Sequence, residues 1–210
     1  MIVKIIAAVI GAFLVLVILQ DGFESVVLPR KVSRKFRFTR IFYVGAWNAW
    51  SLISRRIKQS RRREMFLSYY GPLSLILLLG IWAIVLIFGY TLLQWGADTA
   101  LQAPEKSISF GSYLYMSGVI FTTLGFGDVV PLTALGRTLA ILEAGTGFAF
   151  LALIIGYVPV IYQAFSRREV GISQLDARAG SPSSPTELLL RHVHDGDTDG
   201  LTDYLHDWEI

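Results

Sequence analysis

The chain has 210 residues, a formal net charge of +3 and no cysteine, and 53% of its residues are apolar. Only 17% are charged and the mean hydropathy is +0.53, whereas soluble globular domains carry roughly 25% charged residues. The composition therefore excludes a soluble globular domain, a disulfide framework and a thiolate metal site, and it points to a polytopic membrane protein with one small polar tail.

Residues 5–19 form an uncharged apolar run, which extends to Met1 if Lys4 snorkels to the interface. We read residues 1–20 as an N-terminal transmembrane helix, slightly short of the ~20 apolar residues a span needs. A cleaved signal peptide fits less well, because the run has one preceding lysine and no small-x-small site. Residues 21–65 are a basic segment that holds twelve of the nineteen Lys and Arg, including Arg30, Lys31, Arg34, Lys35, Arg37 and Arg40. The positive-inside rule puts this segment in the cytoplasm and the N-terminus outside. Within it, Phe42, Ala46, Trp50, Ile53 and Ile57 recur at helical spacing, opposite Asn48, Ser51, Arg55 and Lys58. The 14 residues between Arg40 and Arg55 make about 21 Å of helix, too short to cross. They are expected to lie in the cytoplasmic interface, with Trp47 and Trp50 at headgroup depth beside Arg55, Arg61, Arg62 and Arg63. Such a helix either packs on its neighbours or senses anionic lipid; membrane surface accounts for both charge and aromatics, so no nucleic-acid partner is needed.

The next span is expected over residues 66–95. Residues 73–93 are uncharged, Pro72 suits a first helical turn, and Tyr69, Tyr70, Tyr90 and Trp95 mark its ends. A loop over 96–111 leads to a short helix over 112–122, capped by Ser109 or Ser112. Thr122-Thr123-Leu124-Gly125-Phe126-Gly127-Asp128 then places two hydroxyls, two glycines and a carboxylate in a polar turn. Pro131 blocks an immediate helix, and the last span runs over 136–165, with Arg167 and Arg168 beyond it.

The turn resembles the selectivity filter of potassium channels, T-T-x-G-[YF]-G-D, and its place between two membrane-length segments gives the resemblance weight. The resemblance covers residues 66–165: outer helix 66–95, pore helix 112–122, filter 123–127 and inner helix 136–165. It implies potassium ions held by Thr123, Leu124, Gly125, Phe126 and Gly127, with no organic cofactor. Backbone carbonyls must all face the ion, and Gly125 and Gly127 supply dihedrals that L-residues resist. Thr122 and Asp128 are expected to support the filter. With one pore loop per chain, the resemblance implies an all-α membrane protein with a homotetrameric pore. Two departures stand out. Phe126 lacks a phenol, and behind the filter the chain has Met116 and Val119 where several family members carry aromatic and acidic residues. No span carries arginine at every third position, so a voltage sensor is not expected.

On the last helix, Glu143 is an acid inside an apolar span, a functional candidate by default. It is expected to support the filter by hydrogen-bonding the pore helix, with Ser117 and Thr122 as candidate partners; a cavity-lining charge is the rival reading. Gly145 and Gly147 suggest a hinge or close helix packing, and Gly147 falls at the family's hinge position by count from the filter aspartate. Phe148, Leu151 and Ile155 recur at helical spacing and would line the cavity, while Gly156 and Pro159 can bend the cytoplasmic end.

Residues 166–210 form a cytoplasmic tail, read as the start of a larger regulatory region. Residues 171–210 hold eight acids against two arginines. Residues 195–200 match the opening of a calcium loop, but the twelfth position is His206 rather than Glu. His192, His194 and His206 are read as surface histidines, and Leu201, Tyr204, Leu205 and Trp208 as an apolar stripe. The whole reads as a non-enzymatic potassium-selective channel of a bacterial inner membrane. A weakly selective cation channel and a non-conducting sensor or scaffold are the alternatives.

Overall fold

The computed structural model describes residues 1–26, 38–56, 60–104, 107–179, 184–194, 202 and 206. Arg30, Lys31, Arg34, Lys35 and Arg37, the 195–200 loop and the stripe at Leu201, Tyr204, Leu205 and Trp208 lie outside them. The chain separates into two compact units, residues 1–154 and 155–210. In order, the described elements are α1 (Ile2–Val26), α2 (Phe38–Ser54), α3 (Ser60–Ser68), α4 (Tyr70–Gly96), β1 (Leu101–Gln102), α5 (Phe110–Phe121), β2 (Val130–Pro131), α6 (Ala134–Ala179) and α7 (Pro185–His194). Three stretches are long and apolar enough to span a membrane: Ile2–Ser25, Met65–Gly96 and Ala134–Tyr157. The fold is thus the all-α membrane architecture the sequence predicts.

The first helix runs past its predicted end at residue 20. Asp21 does not stop it because the carboxylate is satisfied. Its Oδ2 accepts hydrogen bonds from Thr39 N at 3.1 Å and Thr39 Oγ1 at 2.5 Å, at the start of α2. The bond therefore serves an otherwise orphaned N–H in the first turn of α2. α1 lies antiparallel along α4. At one end Lys4 pairs with Asp98; farther along, a Cβ on Gly11 would stand 2.6 Å from Gly89 O. Backbones this close are the mark of small-residue packing between membrane helices.

The outer helix starts at Tyr70 rather than residue 66. Pro72 has no N–H to offer the Ser68 carbonyl, and the chain turns at Tyr69, separating α3 from α4. Along α4 the buried side chains include Leu75, Leu78, Trp82, Leu86 and Tyr90. α5 begins at Phe110, two residues earlier than predicted, with Ser109 as N-cap in a reciprocal pair with Ser112. β1 and β2 pair antiparallel, Leu101 opposite Pro131 and Gln102 opposite Val130, so the loop after α4 is stitched to the chain leaving the filter.

The last helix also differs from expectation. It opens at Ala134, two residues before the predicted start at 136, with Thr133 as N-cap, whose Oγ1 accepts a bond from Gly136 N at 3.1 Å. It continues through Pro159 to Ala179, past the predicted end at 165, because the next proline after Pro159 is Pro182 and the one glycine between Pro159 and Ala179 is Gly171.

Candidate functional site

The site is built where α5 ends. Thr122 N bonds Gly118 O at 3.1 Å, Thr123 N bonds Ile120 O at 3.0 Å, and Leu124 N bonds Val119 O at 3.0 Å. The last two bonds are the reciprocal pair of a Schellman cap, whose C′ residue must be left-handed and is usually glycine. Here it is Thr123, with φ +59. Left-handed backbone in a β-branched residue is a genuine outlier, and such strain points to a function for the side chain. Gly125 (φ +63) and Gly127 (φ +74) follow, with no positive φ at Leu124 or Phe126. Alternation of hand along a segment is the backbone condition for turning successive peptide carbonyls toward one side. The sequence pointed to the two glycines; the strained Thr123 it did not reveal.

This geometry makes a separable prediction. Thr123→Gly is expected to raise the thermal stability of the purified protein, since about 1–2 kcal/mol of left-handed strain is relieved. The same change removes a hydroxyl oxygen, so any protection that potassium gives against heat is expected to weaken. Melting curves with and without potassium would read both effects; an unchanged potassium dependence would strip the hydroxyl of a role.

Three contacts seat α5 on α6. Ser117 Oγ donates to Glu143 Oε2 at 3.3 Å, both residues being fully buried. Glu143 Oε1 is buried with no protein partner. One turn on, a Cβ on Gly147 would lie 2.0 Å from Phe121 O. The rings of Phe121 and Phe150 stand 5.8 Å apart. Glu143, Gly147 and Phe150 share one face of α6 at i, i+4 and i+7, and that face takes the C-terminal half of the pore helix. Of the two expected partners of Glu143, Ser117 meets it and Thr122 does not. Thr122 Oγ1 donates instead to Gly118 O at 2.6 Å. Beside this seat, Tyr90 of α4 meets Thr146 Oγ1 at 2.8 Å. Thr146 Oγ1 already donates its one hydrogen to Leu142 O, so Tyr90 is the donor.

The far end of the filter is held by a residue the sequence reading missed. Tyr115 OH donates to Asp128 Oδ2 at 2.8 Å, a contact between helix and turn 13 residues apart that no local pattern shows. The carboxylate pushes the Tyr115 phenol above its ordinary value, so the bond holds at neutral pH and is lost only as pH climbs through that raised value. Tyr115→Phe is expected to leave the fold intact and to make ion flux decline faster under sustained gradient; time courses of flux would show it, and an unchanged decay would deny Tyr115 a part in holding the 122–128 turn. Nearby, Tyr113 OH donates to Thr99 O at 2.8 Å and Gln94 Nε2 to Gly136 O at 3.1 Å, joining α5 to the outer loop and α4 to the start of α6.

The other expected site residues are placed as follows. Gly145 has open space where a Cβ would go, as does Gly156. Phe148, Leu151 and Ile155 are exposed, and Pro159 sits inside α6. Trp47 is 46% exposed, whereas Trp50 turns inward and stacks on Phe66 at 4.3 Å, so only one of the two tryptophans predicted at the interface is free to face it. Arg55, Arg62 and Arg63 are exposed.

Comparison with known proteins agrees with this geometry. The profile of a family described as ion channel matches residues 75–163. An uncharacterized membrane protein YdjJ of Bacillus subtilis is 28% identical over 104 residues, 49% of this chain and 30% of its own length. A voltage-gated potassium channel of Aeropyrum pernix is 31% identical over 101 residues, 47% of this chain and 30% of its own length. The match thus spans less than a third of either relative. No solved structure matches the chain.

Proposed function

We propose that the chain is a potassium-selective channel of the ion channel family whose profile matches residues 75–163, passing potassium passively through a pore ringed by four copies. The observation that carries this reading is the left-handed alternation at Thr123, Gly125 and Gly127, the backbone condition for lining up carbonyls as a dehydrated potassium ion requires. Potassium ions would bind at residues 123–127, with Thr122, Asp128 and Glu143 as support.

Four copies are favoured by what one protomer leaves uncovered. Leu124 and Phe126 are 60% and 64% exposed, and Ile141, Leu142 and Phe148 are exposed along α6. In a ring, neighbouring copies and the cavity would take these faces. The twelve basic residues between 21 and 65 favour a cytoplasmic position for α2 and α3, an external N-terminus and a cytoplasmic tail, in a bacterial inner membrane. The reading assigns no catalytic residue. Gly145, Gly147, Ile155, Gly156 and Pro159 were expected as gate or hinge positions; the close approach to Phe121 favours packing at Gly147, and Gly145, Ile155, Gly156 and Pro159 remain the gate or hinge candidates.

Potassium-loaded liposomes carrying the purified protein test the reading. They are expected to release potassium into sodium medium far faster than protein-free liposomes. Release at the protein-free rate in every lipid composition would refer the chain to the scaffold reading.

A further inference from the structure

Arg40, Arg55, Arg56, Arg62 and Arg63 are exposed around α2 and α3. From residue 38 to 66 the chain has seven basic residues and one acid, Glu64. On the same helix Ile41, Val44, Trp47 and Leu52 are 60%, 56%, 46% and 62% exposed. Water suits the arginines but not the apolar residues, and a polyanion in water would leave the apolar stripe uncovered. A bilayer surface takes both: hydrocarbon against the stripe, phosphate against the guanidinium groups.

These elements are tied to the pore. Trp50 stacks on Phe66 with 7° between the rings, and its Nε1 donates to Phe66 O at 3.2 Å. Tyr70, the first residue of α4, donates through its OH to Tyr43 O at 3.0 Å. The rings of Trp47 and Trp50 lie 5.0 and 6.0 Å from that of Tyr70. Whatever holds the α2–α3 corner therefore holds the first turn of the outer helix. Farther along α4, Tyr90 grips Thr146, next to the Gly147 seat of the pore helix.

We propose that the α2–α3 corner is a docking surface for anionic lipid headgroups of the cytoplasmic leaflet, and that lipid bound there fixes the outer helix and sets the activity of the pore. The proposal rests on the channel reading and orientation above. Charge complementarity selects the lipid: each basic residue near an anionic surface strengthens attachment by roughly fivefold.

The test uses the full chain in phosphatidylcholine vesicles with and without phosphatidylglycerol. Flux is expected to rise with phosphatidylglycerol. In the Arg62→Gln/Arg63→Gln variant, the phosphatidylglycerol fraction needed for half the effect is expected to rise severalfold. In parallel, brominated phosphatidylglycerol is expected to quench tryptophan emission more than brominated phosphatidylcholine, an excess lost in Trp47→Phe. Tyr70→Phe keeps the arginines and is expected to preserve the quenching while blunting the flux response. Equal quenching by the two lipids overturns the docking surface. Flux indifferent to phosphatidylglycerol, full stimulation of the arginine variant, or equal stimulation by inorganic phosphate overturns the regulation. Should no vesicle show flux, the channel reading fails while the quenching comparison still decides whether lipid docks.

Discussion

Alanine at Gly147 is expected to unseat the pore helix and abolish flux. The added Cβ would lie 2.0 Å from Phe121 O, and the next atoms, at 2.8 and 3.1 Å, are backbone of the same residue. No rotamer change relieves a clash with backbone, so α5 and α6 must part. Overpacking of this kind costs about 1–3 kcal/mol and occasionally more; with an immovable neighbour, the upper end applies in each protomer. The separation would also break the Ser117–Glu143 bond and the Phe121–Phe150 contact, which share the seat. Gly145→Ala is the control, since open space surrounds it; that variant is expected to melt like the parent. If Gly147 served only as a hinge, its alanine variant would keep parental stability and alter opening alone. A melting temperature unchanged at Gly147 would therefore contradict the packing account.

The second large effect belongs to the filter glycines. Gly125→Ala and Gly127→Asp are each expected to reduce flux to that of protein-free liposomes. Space is not the obstacle: nothing lies within 4 Å of a Cβ on Gly125, and Gly125 O is 4.0 Å from one on Gly127. The obstacle is conformation. At φ +63 and +74 an L-residue loses about 1–2 kcal/mol, and every copy in a ring would suffer it at the same level. A right-handed relaxation at either position breaks the alternation and turns a carbonyl away from the ion. Melting is expected to fall by the strain alone and less than in the Gly147 variant, because neither glycine packs against the helices. Flux retained by both variants would mean that ions pass elsewhere.

The helices were legible because apolar runs and prolines speak locally. Residues 73–93 announce a span, and Pro72 marks its start; reading the helix from residue 66 ignored the hydrogen bond that this proline cannot make. The end of α1 was misplaced because Asp21 looks like a terminus until Thr39, 18 residues on, is seen to satisfy it. The same limit governs the site. Gly125 and Gly127 are visible because glycine itself reports unusual dihedrals. Thr123 is not, since its left-handed backbone follows from a helix cap rather than from its own preference. The Tyr115–Asp128 bond and the Gly147–Phe121 approach are tertiary contacts, so the sequence could offer Gly147 only as a hinge or a packing position. Glu143 was legible as an anomaly, a carboxyl in an apolar helix; that it chooses Ser117 over Thr122 depends on Thr122 turning back to Gly118.

The central claim is potassium selectivity, and it stands against a turn whose Phe126 lacks the phenol of commoner filters and a chain that has Met116 and Val119 at the positions the resemblance puts behind the filter. The reversal potential across a bilayer containing the purified protein, with potassium on one side and sodium on the other, tests it most directly. The left-handed alternation at Thr123, Gly125 and Gly127 predicts a value close to the potassium equilibrium potential. A reversal near zero, with current flowing, would show that sodium passes as readily and would contradict the account.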